Sequence, residues 1–191
     1  MMDNNLVQTA DTLMSSAQAV SDSQDSRYLE ATRLYGPALN RLVRGYESEP
    51  ARRQDLLQDI HVALWQSFAQ FDGLCSLRTW VYRVAHNTAT KHMLRNKRIR
   101  LQEMHTLDEV AESALPHHDT SAVDDTDALQ RMFKLIEQLK PVDRQVILLY
   151  LEEFDAQSIG EVMGLSPENI ATKIHRIKKL LTAMFNAGDK S

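Results

Sequence analysis

"IGEVMGLSPENIATKIHRIKKLL", residues 159–181, carries the densest set of local signals in the chain. Gly164 stands where a helix ends in a left-handed residue, a conformation that costs glycine little. Ser166 is a good N-cap, Pro167 suits a first helical position, and Glu168 complements the helix dipole. Together they predict helix, three-residue turn, helix. At about 100° per residue, Ile170, Ile174, Ile177 and Leu181 share one face, which packs against Ile159, Val162 and Met163. Glu168, Thr172, His175, Arg176 and Lys179 fall on the other face. Hydrogen-bonding groups near the helix start with cations further along are what reading a DNA major groove requires. A basic surface helix of any helical domain shares part of this pattern. The caps and the turn length favour the DNA reading.

Working outward, the net charge of −4 hides a segregation. Residues 78–100 hold seven Lys or Arg and no carboxylate, whereas residues 101–130 hold eight carboxylates and no Lys or Arg. Basic residues return as Lys173, Arg176, Lys178 and Lys179. Phosphate binding depends on such local faces and not on the total charge. On the helix that opens with "LRTWVYRVAHNTATKHMLRNKR", Tyr82, Arg83, His86, Asn87, Thr90 and Lys97 lie roughly opposite the core face of Val81, Val84, Ala85 and Thr88. Cations beside an aromatic ring suit a single strand, whose bases stack while its backbone meets positive charge.

The rest of the chain predicts an all-α protein of two small helical domains joined by a flexible acidic linker. Few Gly, Pro and aromatic residues favour helices. Residues 1–26, rich in Ser, Asp, Gln and Asn, are expected to be a disordered or weakly helical arm. Residues 27–100 form a three-to-four-helix bundle, with Leu29, Leu34, Leu39, Leu42 and Val43 inward and a break at Pro37. Residues 101–126 are the linker, 127–185 a four-helix domain that includes the helix-turn-helix, and 186–191 a tail. The single cysteine, Cys75, excludes an internal disulfide and fits a reducing cytoplasm. No apolar run approaches the ~20 residues that span a bilayer, and the N-terminus lacks the basic and apolar regions of a secretory signal. His117, His118 and Asp119 read as solvated linker residues, so no metal or cofactor is expected. Without a nucleophile turn, no catalytic residue is expected and the chain does not read as an enzyme.

These segments resemble bacterial RNA polymerase sigma factors of the extracytoplasmic-function class of the sigma-70 superfamily. "DLLQDIHVALWQSFAQFDG" resembles region 2.2, "SLRTWVYRVAHNTATKHMLRNKR" resembles regions 2.3 and 2.4, and "IEQLKPVDRQVILLYLEEFDAQSIGEVMGLSPENIATKIHRIKKLL" resembles region four. The order and separation match over most of residues 27–183.

The resemblance implies a promoter-specific initiation factor that binds core RNA polymerase, recognises −35 and −10 elements and helps to separate the strands. It implies that Asp55, Leu56, Gln58 and Asp59 dock on the β′ clamp helices, with Trp65 mostly core, and that region four meets the β flap. It implies that Asp72, Gly73 and Leu74, followed by Arg78, Tyr82, Arg83, His86, Asn87, Thr90 and Lys97, face the −10 single strand. Ser166, Glu168, Asn169, Thr172, Lys173, His175, Arg176 and Lys179 would meet the −35 duplex. An anti-sigma factor is an expected partner, the cytoplasm the expected location, and membrane insertion is not expected. His61 stands where a bulky apolar residue is common, Gly160 where Ala is usual, and Ala171 where a basic residue is frequent. Two other readings remain: an ordinary helix-turn-helix regulator, or a sigma mimic that sequesters an anti-sigma factor. A further expectation is that the acidic linker screens the basic faces.

Overall fold

A computed structural model describes residues 3–106 and 124–188. The expectation that the linker screens the basic faces concerns residues largely outside these. Among the described residues seven α-helices run in order: α1 Asp3–Arg44, α2 Pro50–Ser67, α3 Leu77–Thr106, α4 Asp124–Glu137, α5 Pro141–Leu151, α6 Ala156–Met163 and α7 Pro167–Gly188. No strand occurs among the described residues.

The first three helices form the N-terminal bundle. Leu39, Leu42 and Val43 of α1 meet Leu56, Ile60 and Leu64 of α2 and Val81, Ala85 and Ala89 of α3, all buried. A short 3₁₀ turn, Phe68–Gln70, closes α2 and drives Phe68 into the same core. Truncating a fully buried leucine such as Leu64 would cost about 2–5 kcal/mol.

The α1 helix departs from the sequence reading in three ways. It begins at Asp3, so the arm expected to be disordered or weakly helical continues the bundle helix. It also runs through Pro37, which is exposed. The proline removes one interior hydrogen bond without a buried partner being lost. Thirdly, Leu29 and Leu34 face outward at 65% and 47% exposure, and the small Ala31 and Ala38 take the inner positions. Trp65, expected to be mostly core, is 41% exposed, and its indole N–H donates to Asp25 at 2.7 Å. The extended α1 supplies that partner.

The C-terminal half packs α4–α7 around Ile136, Val146, Leu149, Ile159, Ile170 and Ile177. Pro141 starts α5 as its pattern predicts. Asp155 caps α6, accepting from the Ser158 N–H at 2.7 Å. That bond holds the Asp155 carboxyl below its ordinary value. Gly164 ends α6 at φ +70°, and the Asn169 N–H donates to Ser166 Oγ at 3.3 Å at the start of α7. The two halves are not held apart: their buried side chains form one continuous core, with α3 lying along α6.

Candidate nucleic-acid interface

In the helix-turn-helix, Ile170 and Ile177 are buried against Ile159 and Val162, while Ser166, Glu168, Asn169, Thr172, His175, Arg176 and Lys179 are exposed. The outward set is therefore the one the periodicity predicts. Thr172 spends its hydroxyl on its own helix, donating to the Glu168 carbonyl at 2.9 Å. Lys173 and Arg176 have a partner that the sequence did not suggest. Asp143, only 8% exposed in the first turn of α5, accepts from Lys173 Nζ at 3.1 Å and Arg176 Nη2 at 2.8 Å. One carboxylate thus fastens two cations of the α7 helix to the helix beneath it. Arg176 stays largely exposed, so most of its guanidinium donors still reach outward.

The basic face of α3 is in a different position. Asp72, Gly73 and Leu74 stand clear in the loop before it, Leu74 at 89% exposure. The Leu74 N–H donates to Asp72 Oδ1 at 3.0 Å and Gly73 adopts φ +77°, which shapes this loop. Asn87 and Lys97 are also exposed. Arg78, Tyr82, Arg83 and Thr90 are instead engaged by the C-terminal half, and His86 is buried beside them. The Tyr82 hydroxyl donates to Glu152 Oε2 at 3.1 Å, and its ring packs edge-on against Phe154 at 4.7 Å. Arg83 donates to the Glu161 carbonyl at 2.6 Å, and Gln145 donates to Thr90 Oγ1 at 2.7 Å. Arg41, which the sequence reading passed over, makes a two-pronged ion pair with Glu152 at 2.7 Å on both oxygens. That pairing holds the Arg41 guanidinium above its ordinary pKa. Burial, and then the neighbouring carboxylate, raise the Tyr82 phenol.

His86 is 2% exposed and shares a 2.9 Å hydrogen bond through Nδ1 with the Tyr46 hydroxyl. Its Nε2 is buried without a hydrogen-bond partner among the described residues. Burial pushes this imidazole down to about 3, so it is neutral near pH 7. A buried polar atom left unpaired costs about 1–3 kcal/mol, which the contact between the halves must offset. Arg144 contributes to that contact. It is 5% exposed, lies 5.7 Å above the Tyr46 ring and donates to the Glu137 carbonyl. The only hint of these partners in the sequence is the acidic pair Glu152-Glu153 between two helices of a domain with a basic reading face.

Helix α2, expected to dock on the polymerase, exposes Asp55 and Gln58, with Asp59 half-buried. Leu56, expected in the same set, is fully buried in the bundle core and offers no surface. Asp59 is steadied by α3, through His92 Nδ1 at 3.3 Å and Arg95 Nη2 at 3.5 Å. At His61 the Tyr28 hydroxyl and His61 Nδ1 share a 3.0 Å hydrogen bond. A polar residue is thereby accommodated on the helix where an apolar one is common.

These two halves coincide with two family models, sigma-70 region 2 over residues 32–99 and sigma-70 region 4 over residues 129–181. The chain is a sigma-70 factor of the extracytoplasmic-function class. As such, this sigma factor is a promoter-specific transcription initiation factor. It is 29% identical to the RNA polymerase sigma factor YlaC of Bacillus subtilis over 75% of this chain and 83% of the relative. It is 27% identical to the RNA polymerase sigma-H factor of Pseudomonas aeruginosa over 69% of this chain and 66% of that one. Two solved structures share the fold. One is CnrH in complex with the cytosolic domain of CnrY, with a TM-score of 0.63 at 23% identity over 90% of this sigma factor and 94% of that chain. The other is RpoE in complex with the anti-sigma factor NepR from Bartonella quintana, with a TM-score of 0.61 at 20% identity over 83% and 96%. Among the described residues no helix of this sigma factor is long and apolar enough to cross a membrane.

Proposed function

We propose that this sigma factor joins core RNA polymerase through α2 and grips a promoter at two points. Asp55, Gln58 and Asp59 meet the β′ clamp helices, and region four meets the β flap. Glu168, Asn169, Thr172, His175, Arg176 and Lys179 meet the −35 duplex. The loop Asp72 to Leu74 and the basic face of α3 take the −10 strand once it is single. The observation that carries this reading is the outward cationic and hydrogen-bonding face of α7, beyond a well-capped turn, in a chain whose two halves match regions 2 and 4. The chemistry of nucleotide addition belongs to the polymerase. An anti-sigma factor is a partner consistent with the solved relatives, one of which is bound to a protein so described. The site of action is then the cytoplasm, where polymerase works.

The test is transcription in vitro with core polymerase and a library of promoter sequences. The purified chain is expected to bind core polymerase in the absence of DNA and to select a subset of the library. A chain that binds duplex DNA but never the core enzyme would instead be an ordinary helix-turn-helix regulator.

A further inference from the structure

The turn Glu152–Phe154 lies on α1 and α3 much as a nucleotide would. The Glu152 carboxylate takes both donors of the Arg41 fork at 2.7 Å and the Tyr82 hydroxyl at 3.1 Å. Two parallel N–H donors and one phenol are equally suited to the oxygens of a phosphate. Two residues on, the Phe154 ring has the Arg78 guanidinium 3.9 Å above it and the Tyr82 ring 4.7 Å away. Single-stranded bases are held by such contacts with guanidinium planes and aromatic rings. Arg78 also donates to the Glu152 backbone carbonyl at 2.5 Å, so the acidic and aromatic parts of the turn are fixed together. Glu153, between them, adopts φ +60°, outside the usual range for a residue with a side chain.

We infer that Arg41, Arg78 and Tyr82 form a subsite for one phosphate and one base of single-stranded DNA, filled in this structure by Glu152 and Phe154. The inference deepens the strand-binding role proposed above and rests on it, and it adds Arg41, on α1, to that surface. The turn and the strand compete for one place. A strand that binds only the open form loses apparent affinity in proportion to the fraction that is closed.

The competition is measured by fluorescence anisotropy with a labelled mixed-base 12-nucleotide deoxyoligonucleotide and the full chain. Glu152→Gln keeps the shape of the turn and removes the charge that Arg41 and Tyr82 hold, so it should tighten binding about fivefold. Glu153→Gln makes the same change in net charge at an exposed neighbour and should leave affinity near that of the parent. Adding Arg41→Ala to Glu152→Gln should abolish the gain and flatten the salt dependence by about 0.7 per lost phosphate contact. Unchanged binding by Glu152→Gln would overturn the subsite, as would an equal gain from Glu153→Gln or a gain that survives the loss of Arg41. Thermal melting of each variant identifies any that fails to fold. Transcription by the parent chain with core polymerase is scored separately: if it transcribes and Glu152→Gln shows no gain, the subsite fails and the proposed function stands. If it neither binds the core enzyme nor transcribes, the proposed function fails whatever the oligonucleotide does.

Discussion

Asp143 and His86 are two residues whose roles depend on what lies over them. Asp143 ties Lys173 and Arg176 to α5. Replacing it with Asn should release both cations toward DNA. The slope of log affinity against log salt for duplex DNA should then steepen by about 0.9 for each phosphate recruited. A slope equal to that of the parent would mean the two cations are already fully used. For His86, burial lowers the folded-state value to about 3, below that of the exposed ring. The unfolded chain therefore binds the extra proton first, and stability falls as pH drops through the ordinary histidine value. Between pH 7 and pH 5 the loss should be about 2 kcal/mol, read by urea titration at each pH. His86→Gln should flatten that part of the profile. The rings packed against it, Tyr46 and Tyr82, are uncharged throughout this range, and burial raises both further.

Within the helix-turn-helix the backbone is tightly drawn. A Cβ built on Gly160 would lie 2.6 Å from the Leu165 carbonyl oxygen, while the Gly160 carbonyl itself accepts from the N–H groups of Gly164 and Leu165. Gly160→Ala should therefore lower stability by about 1–3 kcal/mol, seen as an earlier urea midpoint, even though alanine is usual at this place in the family. A midpoint equal to the parent's would show that the turn relaxes freely. This turn was readable from sequence because Gly164, Ser166 and Pro167 act on their own backbone and immediate neighbours. The same holds for Pro141 at the start of α5 and for the buried stripe of Leu56, Ile60 and Leu64. Leu29, Leu34 and Trp65 were misread for the opposite reason. The exposure of the two leucines depends on which face of the 42-residue α1 meets the bundle, and that of Trp65 on its bond to Asp25 of the same helix, and spacing alone leaves both open. The α1 extension is not legible from composition, because the Ser, Asp and Asn of the arm point away from order while its Ala, Gln, Leu and Met favour a helix. The partners of the α3 face, Glu152 and Phe154, lie 70 or more positions away in the chain and left no local pattern.

At the scale of the whole molecule, the halves read from sequence as separate domains are packed together. Closure relies on exposed ion pairing at Arg41 and Glu152 and on a close approach of the turn after α1 to α5 at Gly45, where an added Cβ would lie 2.5 Å from the Leu148 side chain. Gly45→Leu should force the halves apart. Donor and acceptor dyes on α2 and α7 should report a longer distance in the variant, with helix content retained by circular dichroism. An unchanged distance would mean that Leu148 yields and closure survives. Raising the salt from about 0.1 M to 1 M, which shortens the screening length from about 10 Å to 3 Å, should move the parent in the same direction. Closure also has a consequence for how the chain finds its targets. A genome offers about 10⁶–10⁹ nonspecific sites to any protein with free cations. Because Arg41, Arg78 and Arg83 are occupied internally, the closed chain offers that competition fewer cations, chiefly those of α7. A duplex met in that state would engage mainly the α7 face, so the closed chain would hold DNA at one point where the open chain could hold it at two.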